Sequence, residues 1–249
     1  MNSVKDMLKA GKTVVGTTGS LSSPADFLAD SGFNFILFDT QHDSVDIKEL
    51  KGQVQAMRGK KAIPIIRVGA NDPALVCYAL DIGAKGIVVP MVNTKEEAIN
   101  MVQWCKYPPE GKRSSAGAKG DWGKFEKYRE YMDAVNREVL VIPMIETVES
   151  LNNLDEILSV PGIDVLLVGP SDLSINLGIT LDYLNPKYSE ALDKIAAACK
   201  KAGVKSGMYF IPGGQDPNLF VEKGFKLFTL PWNQWATNGI RHGLETIKK

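Results

Sequence analysis

Apolar residues along this chain gather in eight short runs, which polar segments with helical spacing separate. Most runs contain Val, Ile and Leu in succession, without the alternation of apolar and polar residues that marks a half-exposed strand. Such runs are typical of parallel strands that are covered on both faces. We therefore predict eight strands, at residues 13–18, 34–40, 62–68, 86–91, 139–146, 163–169, 204–210 and 225–230.

The segments between these runs predict helices, because their apolar residues recur at three- and four-residue steps. Clear examples are residues 23–32, 72–83, 94–107 and 189–203. Strands and helices that alternate eight times predict an α/β fold of the (β/α)₈ type, the TIM barrel. A doubly wound open sheet is the competing fold, but the first strand lacks the glycine-rich phosphate loop of its nucleotide-binding members.

A single barrel domain accounts for residues 1–249, since α/β barrels commonly have this length. Two segments depart from the regular alternation. Residues 106–138 predict a long loop and a helix after the fourth strand, and an insertion of that length is expected at the active-site mouth or at a subunit contact. Residues 231–249 predict a C-terminal helical tail, which contains two of the four tryptophans.

Composition narrows the class of protein without naming a function. Hydrophobic residues make up 44% of the chain, and Lys+Arg equals Asp+Glu at 29 each. No overall charge therefore attracts nucleic acid or an anionic membrane surface. The three cysteines have no metal-ligand spacing and indicate reduced thiols in a cytoplasmic protein. The chain has neither a signal-peptide-like start nor an apolar run of about 18 residues, so we expect a soluble, intracellular protein.

Ionisable side chains follow four of the predicted strands at the point where each strand ends. Asp39 and His42 follow the second strand, Arg67 ends the third, Glu146 ends the fifth, and Asp172 follows the sixth. In a barrel, the carboxyl ends of the strands meet at one rim, where the chemistry takes place. Because such groups are costly near a core unless they pair or bind something, we expect these five at a common site.

Each of these residues also has a simpler structural explanation. Glu146 and Asp172 are candidate caps of the helices that follow them, and Arg67 is a candidate partner in a structural ion pair. His42 is equally a loop histidine beside solvated carboxylates. If Glu146 and Asp172 are instead the protein ligands of a metal, their oxygens favour Mg²⁺ or Mn²⁺, with water and substrate completing the shell.

Five segments occur in this chain in a specific order and combination: FDTQHDSVD, PIIRVGANDP, LDIGAKGIVVPMVNTKEEA, YPPEGKRS and IPMIETVESLNNLDEILSVPGIDVLLVGPSDLS. Together they resemble the HpcH/HpaI family, the class II pyruvate-dependent aldolases, over residues 10–215. The resemblance implies a metal-dependent (β/α)₈ barrel that reversibly cleaves a 4-hydroxy-2-oxo acid to pyruvate, or a close 2-oxo acid, and an aldehyde through a metal-stabilised enolate. The implied metal is Mg²⁺ or Mn²⁺, with Co²⁺ as a further option. The implied assembly is a hexamer whose last helix packs against a neighbouring barrel.

The resemblance also assigns roles to individual residues. It implies that Glu146 and Asp172 hold the metal and that Arg67 contacts the pyruvate oxygens. His42 takes the acid–base role on the C4 hydroxyl. Asp39 and Asp81 match acidic positions associated with that histidine and its water.

The resemblance implies one substrate-binding segment that matches the family pattern, and it also reveals positions that depart from this pattern. Gly169, Pro170 and Ser171 match the segment that holds the pyruvate carboxylate at a helix N-terminus, where free amides favour an anion. Gln41 stands beside His42, where many members have Glu, and Asp43 replaces the familiar Gly. The sequence after Arg113 and the eighth strand also differ. Because these departures lie around the aldehyde side, the acceptor aldehyde stays open.

Other functions remain open at this stage. A citrate-lyase-like or CoA-ester lyase would need a Lys- or Arg-rich site for adenine and phosphate, and none stands out. A barrel kept only for binding would hold metal without exchanging pyruvate protons. A Schiff-base aldolase is disfavoured, because no lysine occupies a recognisable strand end.

Overall fold

Eight parallel strands form a closed barrel in the computed structural model, which describes residues 2–43 and 45–246. Each strand pairs with the next in chain order, and the eighth pairs with the first. Every strand overlaps one of the predicted apolar runs, which confirms the predicted (β/α)₈ fold. The strands are β1 (Val14–Gly19), β2 (Phe35–Asp39), β3 (Ile63–Arg67), β4 (Gly86–Val89), β5 (Leu140–Ile145), β6 (Val165–Val168), β7 (Lys205–Met208) and β8 (Leu227–Thr229).

Helices connect the strands and cover the outside of the barrel. Within the described residues they are α1 (Ser3–Lys9), α2 (Ala25–Leu28), α3 (Lys51–Ala56), α4 (Pro73–Ile82), α5 (Lys95–Cys105), α6 (Tyr128–Glu138), α7 (Val148–Asn152), α8 (Leu154–Leu158), α9 (Pro170–Asn176), α10 (Pro186–Ala202), α11 (Pro217–Glu222) and α12 (Trp232–Glu245). In none of the described segments is a helix both long and apolar enough to cross a membrane.

Local sequence explains where the better-defined helices begin and end. Asp72 caps α4 through hydrogen bonds from two backbone amides, and α4 ends at Gly83, whose φ of 118° suits glycine. Thr94 and Glu97 form a reciprocal capping box at the start of α5. The helix predicted within residues 23–32 is shorter than expected, since α2 contains only four residues.

The barrel has two hydrophobic layers, because successive strand residues point to opposite faces. Phe35 and Leu37 belong to the cluster inside the barrel, whereas Ile36 and Phe38 belong to the layer between strands and helices. Gly16 makes room for the inner layer, since a Cβ there would lie 2.3 Å from the ring of Phe35. The barrel interior is therefore a packed core and not a channel.

The helix α1, which the apolar runs did not predict, contributes Val4 and Leu8 to the inner cluster. Its Lys5 ammonium donates to the carbonyl of Val139 at 2.9 Å and pairs with Asp164, also at 2.9 Å. Because Val139 and Asp164 precede β5 and β6, α1 covers the amino-terminal end of the barrel. The opposite end, where the strands finish, is left for the site.

Two segments lie outside the regular alternation of strands and helices, one after α5 and one after β8. Residues 106–127 form no regular element and are followed by α6, while the tail forms α12. The insertion is anchored by Asn136, whose side-chain oxygen accepts a hydrogen bond from the Tyr107 amide at 2.7 Å. No side chain of α12 is buried in the isolated chain. Residues 247–249 of the predicted tail lie outside the described residues.

Candidate active site

The alternation of inner and outer residues carries three ionisable side chains to the inner face at the strand ends. Phe35 and Leu37 face inward, so Asp39, the next residue of that parity, does too. The same step leads from Ile65 to Arg67 and from Met144 to Glu146. Polar side chains thus replace apolar ones in the last inward layer, at the carboxyl ends of the strands.

A cavity of about 100 Å³ at this end of the barrel is lined by four of the predicted site residues, His42, Arg67, Glu146 and Asp172. The predicted segment Gly169, Pro170 and Ser171 also lines it. The remaining lining residues are Met144, Tyr209 and Phe210. The structure therefore brings four predicted ionisable residues, up to 130 positions apart in the chain, to one cavity.

Arg67 is held rigidly between an aspartate and a tyrosine. Asp39 and Arg67 are direct neighbours across the β2–β3 pairing. Two guanidinium nitrogens of Arg67 donate to the two carboxylate oxygens of Asp39, at 2.8 and 2.5 Å. The guanidinium also lies 4.2 Å from the ring centre of Tyr209 and donates to its hydroxyl at 3.0 Å. Only 3% of Arg67 is exposed, so its planar donor group is fixed in place before any ligand arrives.

The Asp39–Arg67 pair stays ionised well below neutral pH. Burial works against the Asp39 carboxylate, but the hydrogen bonds and charge of Arg67 outweigh it and lower the pKa of Asp39 below its ordinary value. A carboxylate with a lowered pKa stabilises the fold above its unfolded pKa, and this contribution is lost as the pH falls through the folded value.

Glu146 is buried, and one of its carboxylate oxygens is already occupied. Only 1% of Glu146 is exposed, and its Oε1 accepts a hydrogen bond from the Met91 amide at 2.7 Å. Met91 has a φ of 54°, a left-handed conformation that is uncommon outside glycine. The other oxygen, Oε2, faces Gly169 and accepts no hydrogen bond from any residue the structure describes.

Glu146 and Asp172 repel one another across the cavity. Burial raises the pKa of Glu146 above its ordinary value and the charge of Asp172 adds to this rise, while the Met91 amide, Arg67 and His42 oppose it. The Asp172 carboxylate makes no ion pair with a described residue. Two nearby carboxylates without a cation favour the binding of a hard dication through oxygen.

The simpler explanation as helix caps is wrong for both carboxylates. The N-cap of α7 is Thr147, whose hydroxyl accepts from the Ser150 amide. The N-cap of α9 is Gly169, and Asp172 lies inside the first turn without a side-chain capping bond. For Arg67, in contrast, the ion pair with Asp39 is present, and Arg67 lines the cavity as well.

Three predicted site residues, Asp39, Gln41 and Asp81, lie outside the lining of this cavity, and Asp39 reaches it only through its ion pair with Arg67. The backbone amide of Gln41 donates to the Oδ1 of Asp39 at 2.9 Å. The side-chain oxygen of Gln41 is buried without a partner among the described residues. Asp81 lies in α4 and pairs with Arg113 of the insertion at 2.7 Å. Their roles beside His42 stay predictions.

Three residues at this site, Tyr209, Phe210 and Met91, were not predicted from the sequence. Tyr209 is recoverable in principle, because it lies two positions after Gly207, which contacts inner-layer leucines, and therefore shares its inward parity. No sequence signal indicates the left-handed backbone of Met91. That conformation directs an amide to a carboxylate 55 positions away.

Comparison with known proteins gives a consistent result over nearly the whole chain. The HpcH/HpaI aldolase/citrate lyase family matches residues 17–233. A 4-hydroxy-2-oxo-heptane-1,7-dioate aldolase from Shigella sonnei is 32% identical over 225 residues, which cover 90% of this chain and 86% of the relative. A hydroxypyruvate/pyruvate aldolase from Roseobacter denitrificans is 32% identical over 84% of this chain and 82% of its own length.

A solved structure has the same fold from end to end. An HpcH/HpaI aldolase/citrate lyase family protein from Burkholderia cenocepacia superposes with a TM-score of 0.87 at 28% identity and covers 100% of both chains. With the site geometry and the family match in agreement, the resemblance predicted from the sequence is confirmed: the chain belongs to the HpcH/HpaI aldolase/citrate lyase family.

Proposed function

We propose that this protein is a divalent-metal-dependent aldolase, a carbon–carbon lyase that reversibly cleaves a 4-hydroxy-2-oxo acid to pyruvate, or a close 2-oxo acid, and an aldehyde. One observation carries the proposal. A fixed guanidinium, an imidazole and two carboxylates that need a cation line one cavity at the strand ends of a barrel from an aldolase family. The aldolase names of the relatives favour this reaction over CoA-ester lysis.

In the cleavage reaction, residues of the chain must accept one proton and stabilise one developing negative charge. The C3–C4 bond breaks, the C4 hydroxyl loses its proton and becomes the aldehyde carbonyl, and the electron pair left on C3 takes up a proton to give the methyl group of pyruvate. We assign the C4 hydroxyl proton to His42. Arg67 donates hydrogen bonds to the oxygen on which charge develops, from a position that Asp39 and Tyr209 hold fixed.

Glu146 and Asp172 are the proposed ligands of the dication, Mg²⁺, Mn²⁺ or Co²⁺. Among the residues that the structure describes, no three His, Cys, Asp or Glu side chains converge on one point, so substrate and water oxygens would complete the shell. When bound, the cation supplies a Lewis acid that stabilises the enolate of the 2-oxo acid. The Met91 amide holds the Glu146 carboxylate in the required orientation.

The segment Gly169, Pro170 and Ser171 is the proposed binding site for the pyruvate carboxylate. It lines the cavity beside Asp172. First-turn amides of a helix lack partners within the helix and favour an anion. Asp39 is proposed to orient Arg67 and His42, with Gln41 and Asp81 in supporting positions near the histidine.

Replacement of Gly169 by alanine is expected to weaken metal binding about tenfold or more, because orienting contacts of metal ligands typically contribute that much. The added Cβ would lie 2.3 Å from Oε2 of Glu146 and 3.1 Å from the Met144 methyl group. These two are ends of flexible side chains, but the Cβ of Glu146 would also lie at 3.1 Å, so Glu146 must shift and its carboxylate is displaced. The melting temperature of the variant checks that the barrel remains folded. Titration with Mn²⁺ measures the effect. Gly52→Ala is the matched control, since nothing lies within 4 Å of its added Cβ, and equal affinities in the two variants would contradict this placement of Oε2.

His42→Ala is expected to reduce aldol cleavage by about 10²–10⁴-fold, the usual contribution of a general acid–base group. Metal binding should persist, since the imidazole is not a proposed ligand. Exchange of the pyruvate methyl protons with deuterated solvent should survive in part, because it does not require transfer of the C4 hydroxyl proton.

The other histidine provides the control for this variant. His242 lies in α12 and is exposed, so His242→Ala should retain parental rates of both reactions. Unchanged cleavage in His42→Ala, or loss of the metal together with the imidazole, would show that the assigned role is wrong. Tight metal binding by the parental chain without any exchange of pyruvate protons would contradict the aldolase proposal as a whole.

The proposed assembly is a homo-oligomer, a hexamer in the form that the family resemblance implies. The apolar side chains Trp235, Ile240 and Leu244 of α12 are each about half exposed or more in the isolated chain. An amphipathic helix with this face uncovered favours packing against a neighbouring barrel. The free cysteines Cys77, Cys105 and Cys199 support a reducing, cytoplasmic location.

A further inference from the structure

A second, larger cavity adjoins the candidate active site. It has a volume of about 520 Å³ and lies between the end of β1, the exit of β2 and the start of α12. Tyr209 lines both cavities. Asp39 lines the second cavity and holds Arg67, which lines the first. The second cavity is therefore the neighbouring space for the remaining atoms of a substrate whose 2-oxo acid end contacts Arg67.

The second cavity is rich in small polar groups. Its wall includes the side chains of Thr18, Ser20, Ser22, Ser23, Asn233 and Asp43. The Ser20 hydroxyl lies 3.1 Å from that of Ser22 and 3.2 Å from that of Ser23. Hydroxyl and amide groups both donate and accept hydrogen bonds, so this wall suits a ligand that does the same.

The charge of the cavity is negative. None of the residues that line it is Lys, Arg or His. Arg67 compensates the carboxylate of Asp39 through two hydrogen bonds. Asp43 is exposed and forms no ion pair with a described residue, and its charge acts on the hydroxyl of Tyr209. A ligand carboxylate would meet this uncompensated charge without a cation to balance it.

We propose that the second cavity binds the aldehyde half of the substrate and selects an uncharged aldehyde that carries hydroxyl groups, against an aldehyde with a distal carboxylate. Seryl hydroxyls and Asp43 can accept hydrogen bonds from the ligand hydroxyls, whereas Asp43 repels a second carboxylate. This selectivity rests on the aldolase activity proposed above. It separates this chain from relatives named for a heptane-1,7-dioate, whose aldehyde product carries a carboxylate.

Three aldehydes test the proposal in the condensation direction with pyruvate and Mg²⁺ or Mn²⁺. Glyceraldehyde carries two hydroxyl groups, propanal has the same carbon chain without them, and succinic semialdehyde carries the distal carboxylate. The kcat/KM for glyceraldehyde is expected to exceed that for succinic semialdehyde by about tenfold or more, the discrimination that one unfavourable polar contact provides.

Variants distinguish the contribution of the second cavity to kcat/KM from the intrinsic reactivity of the aldehydes. In Asp43→Lys, the ratio of kcat/KM for succinic semialdehyde to that for glyceraldehyde is expected to rise about tenfold or more, because attraction replaces repulsion. Asp26→Lys makes the same change of charge at an exposed position of α2 outside the cavity, and its ratio should stay parental. Ser22→Ala, an exposed and minimal change, should lower the rate with glyceraldehyde severalfold relative to propanal.

The exchange of pyruvate methyl protons in deuterated solvent distinguishes the two ways to fail. If neither exchange nor condensation occurs with any aldehyde, the proposed aldolase function is wrong and the acceptor proposal falls with it. If exchange occurs but succinic semialdehyde is the better acceptor, the acceptor proposal alone is overturned. The acceptor proposal is also overturned if Asp43→Lys and Asp26→Lys shift the ratio of kcat/KM for succinic semialdehyde to that for glyceraldehyde equally. If Asp43→Lys does not fold, Ser22→Ala decides. The proposal is then overturned if this variant changes neither that ratio nor the ratio of glyceraldehyde to propanal.

Discussion

Removal of divalent cations is expected to abolish cleavage of 4-hydroxy-2-oxo acids by this protein, and added Mg²⁺, Mn²⁺ or Co²⁺ is expected to restore it. Glu146 is buried beside Asp172, and neither carboxylate forms an ion pair with a residue that the structure describes. The charge of the two carboxylates therefore favours a dication. The measurement is the rate of pyruvate release after treatment with EDTA, followed by stepwise addition of each metal.

Metal binding itself has a second readout that does not depend on activity. A ligand that binds only the folded state stabilises it by about 2.7 kcal/mol at about 100 times its dissociation constant. Mn²⁺ should therefore raise the melting temperature of the parental chain. Glu146→Gln and Asp172→Asn should lose this rise, although the amide oxygen of the Glu146→Gln variant can still accept from the Met91 amide.

A neighbouring carboxylate supplies the control for these variants. Glu149 is exposed in the first turn of α7, three positions after Glu146, so Glu149→Gln should keep the full response to Mn²⁺. Cleavage that survives complete metal removal would exclude a dication from the mechanism. A parental response to Mn²⁺ in both ligand variants would mean that the metal binds elsewhere.

The sequence was sufficient to predict which strand ends carry the residues of this site, for a physical reason. Parallel strands buried on both faces need unbroken apolar runs, so a polar residue can enter the inward layer only where a strand ends. Arg67 and Glu146 are such residues, and their inward parity follows from Ile65 and Met144. Position at a strand end therefore predicted the placement of both side chains at one cavity.

The sequence was not sufficient where a position depends on contacts between distant segments. The pairing of Asp81 with Arg113 joins α4 to an insertion without regular structure, and no periodic pattern specifies such a contact. The second cavity, similarly, requires the loop after β1 and the start of α12 to meet, which their separate sequences do not indicate. The helix α1 was missed because its seven residues, Ser3–Lys9, are too few to show a repeated helical period.

Arg67→Ala is expected to lower both aldol cleavage and pyruvate proton exchange by about 10²–10³-fold, the usual effect of removing a donor to a developing oxyanion. Both reactions should fall together, since both form the same enolate. The guanidinium is fixed by Asp39 and Tyr209 before substrate binds, so little reorganisation is needed during the reaction. Arg58→Ala, a change at an exposed arginine of the opposite barrel end, should have parental rates.

Part of the loss of activity in Arg67→Ala comes from a destabilised fold, and a second substitution distinguishes this part from the loss of the catalytic donor. Removal of the guanidinium leaves the partly buried Asp39 carboxylate without its partner, which destabilises a folded chain beyond the loss of the pair itself. Adding Asp39→Asn to Arg67→Ala removes that unpaired charge and should recover thermal stability. The rates should remain low in the double variant, because no donor has been returned to the cavity.

Arg67→Lys is the most direct test of whether the arginine acts on the substrate or only supports the fold. A lysine ammonium preserves the charge, but it cannot bind both oxygens of Asp39, contact Tyr209 and still present a donor in a fixed direction. We therefore expect the lysine variant to recover stability while cleavage and exchange stay close to the alanine values. A lysine variant with near-parental rates would mean that the charge alone is enough and that the guanidinium geometry serves the ion pair with Asp39, not the reaction.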